Sequence, residues 1–154
     1  MKKSSKFRVD ERILIDADIH TVWQHMTEWD AYPQWNPFIV QVDYQVDAQN
    51  NIRKMKFHLR WQDGSKGTSL EQMVHSQPPH QGTAELVYKY ASLLAKIGLL
   101  RATRIQRLYQ HGHQTEYVTQ EEFFGILAPF VPITAVQQGF AAQAKALAAV
   151  ASKK

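Results

Sequence analysis

The sequence predicts an α+β fold in which a curved antiparallel sheet wraps one long C-terminal helix. Three observations carry this. Pro132 to Lys154 places Ile133, Val136, Phe140, Ala144, Leu147 and Val150 at spacings of three and four, one apolar stripe on a helix roughly 30 Å long. Most of the remaining chain alternates apolar and polar residues with a period of two. Short turns, Asn50-Asn51 and Asp63-Gly64 among them, join consecutive strands as hairpins, which makes their pairing antiparallel.

Taken in order, Phe7 to Asp16 puts Phe7, Val9, Ile13 and Ile15 on one strand face and Arg8, Asp10 and Arg12 on the other, with Glu11 on the apolar side. Asp18 is placed to cap a short helix whose Ile19, Val22, Trp23 and Met26 share a side. Pro33 and Pro37 break Trp29 to Phe38 into a turn-rich segment. Phe38, Val40, Val42, Tyr44 and Val46 then read as one inward face. Arg53, Met55, Phe57, Leu59 and Trp61 read as the next, with Lys54, Lys56, His58 and Arg60 outward. A weaker strand runs from Thr68 to Ser76 and ends at Pro78-Pro79, and Thr83 to Tyr90 follows with Leu86, Tyr88 and Tyr90 together. Ala91 to Leu100 is apolar without period two, a short helix or compact loop, and is expected to cover a cavity mouth as a mobile lid.

Arg101 to Gln110, a turn at His111-Gly112-His113, and Thr115 to Phe124 make the last hairpin, and Gly125 to Val131 leads into the long helix. Pro132 suits that helix's first turn, where its missing N–H costs nothing. Thr134, Gln138, Lys145 and Ser152 lie opposite the stripe. Ala135, Ala141, Ala142, Ala146, Ala148 and Ala149 leave flanks thin enough for backbone or a ligand to come close. No repeat, low-complexity tract or linker divides the chain, so residues 1–154 read as a single ligand-binding domain.

Composition removes several function classes. Hydrophobic residues make up 44% and charged residues 21%, as in an ordinary soluble domain. Without cysteine there is no disulfide framework, thiolate nucleophile or cysteine metal site. The basic start lacks a following apolar segment, and no apolar run approaches the roughly 20 residues of a membrane span, so a cytoplasmic protein is expected. The net charge of +4 suggests nucleic acid, but Lys2, Lys3, Lys6, Lys153 and Lys154 are five of the 18 basic residues, leaving 13 against 14 acids. The only internal basic cluster is Arg101, Arg104 and Arg107, in which a strand would point Arg104 away from the other two. Solvated tails and scattered surface arginine are therefore expected, and no nucleic-acid partner.

Trp35-Asn36-Pro37-Phe38, following a first strand and a Val-Trp helix, resembles the START-related helix-grip superfamily (SRPBCC), which includes polyketide cyclases/dehydrases and lipid-transport proteins. Glu121-Glu122-Phe123-Phe124-Gly125-Ile126-Leu127 is similar to the stretch leading into that superfamily's last helix. The resemblance implies a strongly bent seven-stranded antiparallel sheet, two short helices after the first strand, and a hydrophobic cavity between sheet and C-terminal helix. Its members include enzymes, carriers and sensors, so function has to be argued from the site.

No G-x-S-x-G elbow, H-E-x-x-H, phosphate loop or dinucleotide fingerprint is present. Gly64-Ser65-Lys66-Gly67 is too short for a phosphate loop, His20 and His25 fall on different helix sides, and His111 and His113 lack a spaced third ligand. No metal and no cofactor are expected. Glu121 shares an apolar face with Thr115, Tyr117, Thr119 and Phe123, and Glu11 and Arg53 also fall on inward faces. A carboxylate in such a place has its charged form disfavoured, whereas a nearby arginine would hold it ionised. The competing reading places these residues at an open rim or in structural pairs.

The ligand-binding candidates are Trp35, Phe57, Trp61, Tyr88, Tyr117, Glu121, Phe123, Phe140 and Leu147. The leading expectation is a monomer or weak homodimer that binds a hydrophobic or aromatic small molecule, lipid- or polyketide-like by the resemblance. The alternative is a cyclase/dehydratase-like enzyme using Glu121 and/or Tyr117 as acid and base. A third reading is an interaction module acting through Ala91 to Leu100.

Overall fold

Alternation and turn chemistry produce seven strands, and periodicity of three and four produces four helices, among the residues 6–153 that the computed structural model describes. Lys2, Lys3 and Lys154 of the basic tails, with the rest of residues 1–5, lie outside them. The elements are β1 (Arg8–Ile15), α1 (Ile19–Thr27), α2 (Tyr32–Trp35), β2 (Ile39–Val46), β3 (Ile52–Arg60), β4 (Lys66–His80), β5 (Thr83–Tyr90), α3 (Leu93–Lys96), β6 (Arg101–His111), β7 (Gln114–Phe124) and α4 (Ile133–Ala151). They form one open sheet in the order β1-β7-β6-β5-β4-β3-β2, every neighbouring pair antiparallel. This is the helix-grip arrangement: α4 runs inside the bend, against β1, α1 and α2.

Local chemistry fixes the entry into this arrangement. Asp18 caps α1 by accepting the backbone N–H groups of His20 at 2.9 Å and Thr21 at 3.1 Å. Asn36 Oδ1 accepts from the backbone N–H groups of Phe38 (3.0 Å) and Ile39 (2.9 Å). That clamp bends the chain at Pro37 and drives both Phe38 and Ile39 into the interior, where each is buried. Phe38 then meets Trp61 and Phe140 edge-on, at 5.4 and 6.1 Å between ring centroids. On α4, Gly139 leaves room for the Phe38 ring: a Cβ there would come within 2.5 Å of it.

Several expectations need correction. Pro132 is the residue before the first turn of α4, and the helix ends at Ala151. A register shift between Ile39 and Gln41 makes Ile39 the buried residue in the place read for Val40. Tyr44 and Val46 lie past the core and are exposed. A second shift at Gln45 and Val46 leaves Arg53 unpaired in the ladder, so it turns to solvent and binds Asp47 at 2.7 Å. β4 does not stop at Pro78; it continues to His80, because the ladder to β5 skips the two prolines and resumes at His80–Thr83.

Candidate binding cavity

The residues that matter most lie in one row across the sheet. Val9 on β1, Glu121 on β7, Arg104 on β6 and Tyr88 on β5 are successive ladder partners, so their side chains emerge on the same, helix-facing side. Glu71 on β4, the partner of Tyr90, enters from the next row. Strands β2 to β7 and α4 border a cavity of about 400 Å³, while Val9 on β1 lies outside its lining. Its walls are apolar, from Phe38, Ile39 and Phe57 at one side to Leu94 and Leu100 of the α3 segment at the other. Arg104, Glu71, Glu121 and Tyr88 supply the buried polar groups of the floor, while the less deeply set Thr68, Ser69 and Tyr90 add hydroxyls nearer solvent.

Arg104 is 2% exposed and its guanidinium is held from four sides. Nε donates to Thr119 Oγ1 (3.0 Å), Nη1 to the Tyr88 hydroxyl (3.0 Å), and Nη2 to Gln143 Oε1 (3.1 Å) and, at 3.5 Å, to the Tyr117 hydroxyl. The Phe140 ring covers one face. Tyr117 in turn donates to Gln106 Oε1, and Gln106 Nε2 donates to Tyr88 at 3.1 Å. Burial pushes the hydroxyls of Tyr88 and Tyr117 upward, so both stay protonated. Burial also lifts Glu121 to about 7, with Arg104 opposing, and lifts Glu71 well above its ordinary value, with the Glu121 charge adding to the rise.

Six of the nine candidates border the cavity: Phe57, Trp61, Tyr88, Glu121, Phe123 and Phe140. Tyr117 lies one layer deeper, with its hydroxyl taken up by Gln106 and Arg104. Leu147 is fully buried further along α4, and Trp35 packs edge-on against Tyr32 at 5.2 Å. Glu11 lies at the seam between β1 and α4, accepting from Gln137 Nε2 at 2.7 Å. Arg104, Glu71 and Gln143 are the polar groups that composition and pattern did not single out. Arg104 is buried and is not one of the surface arginines expected from the sequence; its pointing opposite to Arg101 and Arg107 is the signal that it lies inside. His111 and His113 are exposed on their turn, and no cluster of three potential metal ligands occurs among the described residues. No helix there is long and apolar enough to cross a membrane.

A second depression, about 680 Å³, lies on the other face of the sheet beside α3, over Thr103, Ile105 and Gln120. It carries none of the buried charged groups, so the interior cavity is the candidate site.

A family model described as "Polyketide cyclase / dehydrase and lipid transport" matches residues 6–151. No curated protein matches the chain significantly in sequence. Among solved structures, the Zhui aromatase/cyclase of a Streptomyces species is similar at 14% identity and a TM-score of 0.74, over 94% of this chain and 92% of that one. Major latex-like protein 151 of Panax ginseng superposes at 10% identity and a TM-score of 0.75, over 95% and 97%. A START superfamily protein of Mycobacterium smegmatis does so at 14% and 0.65, over 94% of each. At these identities the likenesses establish the fold alone.

Proposed function

Given that this chain belongs to the polyketide cyclase/dehydrase and lipid transport family, we propose that it binds a hydrophobic or aromatic small molecule between sheet and α4. It does so in the cytoplasm, as a monomer or weak homodimer and without nucleic acid. The observation that carries the reading is a cavity of about 400 Å³ with apolar walls and four polar groups gathered on its floor. Magnitudes show why both parts matter. Burying about 200 Å² of a bicyclic ring at about 25 cal/mol per Å² yields about 5 kcal/mol. That alone corresponds to a Kd of roughly 0.2 mM, so useful affinity has to come from the floor.

Native mass spectrometry of the purified protein, followed by organic extraction, tests this. An adduct that leaves on denaturation is expected. Protein that carries no adduct, and takes up no neutral aromatic fluorophore such as aminoanthracene, contradicts it.

One observation favours an enzymatic reading second: Glu71 and Glu121, both pushed upward by burial, border the same cavity as Arg104. Two such carboxyls are suited to passing a proton to and from one bound skeleton. The pair that does this is then Glu71 and Glu121, since the Tyr117 hydroxyl is occupied in the network. Extracted ligand returned unchanged after long incubation with fresh protein excludes turnover.

A further inference from the structure

The floor of the cavity is unevenly satisfied, and the unevenness identifies a ligand class. Glu71 Oε2 is buried and has no hydrogen-bond partner. Glu121 lines the same cavity with 9% of its surface exposed, and among the described residues no hydrogen bond or close ion pair reaches its carboxyl, whose oxygens open on the cavity. A buried acceptor left without a donor is costly, so Glu71 calls for a donor from whatever fills the cavity, and the open Glu121 oxygens can take one too.

The cation beside them is largely committed. A guanidinium has five N–H groups, and Arg104 spends four of them on Thr119, Tyr88, Tyr117 and Gln143. One N–H on Nη1 remains. The two parallel N–H groups that clasp a carboxylate are therefore not available. Tyr88 accepts from both Arg104 and Gln106, which fills its lone pairs and leaves its own O–H as a single donor. What the floor offers is two open carboxyls, one phenolic O–H and one guanidinium N–H.

We propose that the buried end of the ligand is a neutral hydroxyl on an apolar skeleton, which donates to Glu71 or Glu121 and accepts from Tyr88 or Arg104. A carboxylate end would face two carboxyls and find no clasp. An ammonium end would satisfy the carboxyls, but it offers nothing to the two donors and sits against the fixed charge of Arg104. The hydroxyl alone answers both kinds of open group. The raised carboxyls agree with this, because burial that holds Glu71 and Glu121 back from ionising disfavours a further negative charge on the ligand in the same way. This inference rests on the binding reading above and narrows it to one ligand chemistry.

The test is a matched set on one skeleton: naphthalene, naphthylmethanol, naphthoate and naphthylmethylammonium, each displacing aminoanthracene at neutral pH. Naphthylmethanol is expected to bind roughly tenfold tighter than naphthalene, and naphthoate roughly tenfold or more weaker than naphthylmethanol. In the double variant Glu71→Gln, Glu121→Gln, checked for folding by its thermal melt, naphthoate should approach the alcohol to within a few-fold. Should that variant not fold, the wild-type series decides by itself. Naphthoate or the ammonium binding as tightly as the alcohol overturns the proposal, as does equal binding of all four, and in either case the cavity stands as a binding site. If neither the fluorophore nor naphthalene binds, the binding reading falls and this inference with it.

Discussion

The guanidinium carbon of Arg104 stands 3.8 Å from the centroid of the Phe140 ring, which joins the middle of β6 to the middle of α4. Gln143, one turn further along the helix, takes a hydrogen bond from the same guanidinium. Sheet and helix are thus registered to each other through one side chain, by a contact worth about 0.5–2 kcal/mol for the ring and more for the hydrogen bonds.

Arg104→Lys is therefore expected to be costly, although charge is kept. An ammonium has three donors at one point, and these cannot reach Thr119, Tyr88 and Gln143 from the positions a planar fork occupies. Urea melts should show a loss of about 3 kcal/mol, within the range for breaking a buried charged network. A loss below about 1 kcal/mol would mean that Arg104 is not the fastening described here.

Glu121 gives stability a pH dependence whose sign is fixed. Burial raises its carboxyl from an ordinary 4.5 to about 7, so the folded state holds this proton more tightly than the unfolded chain. The contribution is present below 4.5 and is lost as pH rises through 7, a change on the order of 3 kcal/mol. Glu121→Gln removes it. The wild type, measured against that variant in urea at about pH 5 and about pH 8, should lose ground at the higher pH. A difference that stays flat across this interval would show the carboxyl to be solvated.

Much of the fold could be read from pattern, because α4 and the β6–β7 hairpin keep one period along their whole length. The inward set Thr115, Tyr117, Thr119, Glu121 and Phe123 is buried as alternation requires. Pattern failed where the ladder slips: one inserted residue near Val40 and another at Arg53 change which side chain faces in, and neither slip leaves a turn residue as a marker. The site was less legible for a different reason. Arg104 and Glu71 are charged, and charge is ordinarily a surface signal. Neighbours across the sheet and on α4, which sequence separation hides, supply the partners that let Arg104 lie inside.

Gly139→Ala should destabilise despite the better helix propensity of alanine, worth about 1 kcal/mol. The new Cβ would come within 2.5 Å of the Phe38 ring, and that ring is held by Trp61 and Phe140. A net loss of about 1–3 kcal/mol in thermal or urea unfolding is expected, as for other overpacked cores. Adding Phe38→Leu should recover part of it. A stabilised Gly139→Ala protein would show that α4 has room to withdraw.

The α3 segment is expected to open and close. Leu94 and Leu100 border the cavity, while Leu93 and Ile97 are 69% and 58% exposed. One end is tethered, since Leu127 donates its backbone N–H to Leu99 O at 3.1 Å. Amides from Leu93 to Leu99 should exchange rapidly in the empty protein and slowly with a ligand bound. Equal, strong protection in both states would mean fixed packing.

The continuation of β4 through Pro78 and Pro79 bears on how the molecule behaves among copies of itself. β3 pairs with β4 only as far as Gln72, so beyond that point one flank of β4 has no strand beside it among the described residues. Val74 there is 56% exposed. Such a flank invites another chain to add a strand and a fibre to begin. Two consecutive residues that lack an N–H cannot hold a continuous ladder, so an incoming strand finds its register interrupted. The prolines that the sheet tolerates internally thus act outward, as a guard against self-association.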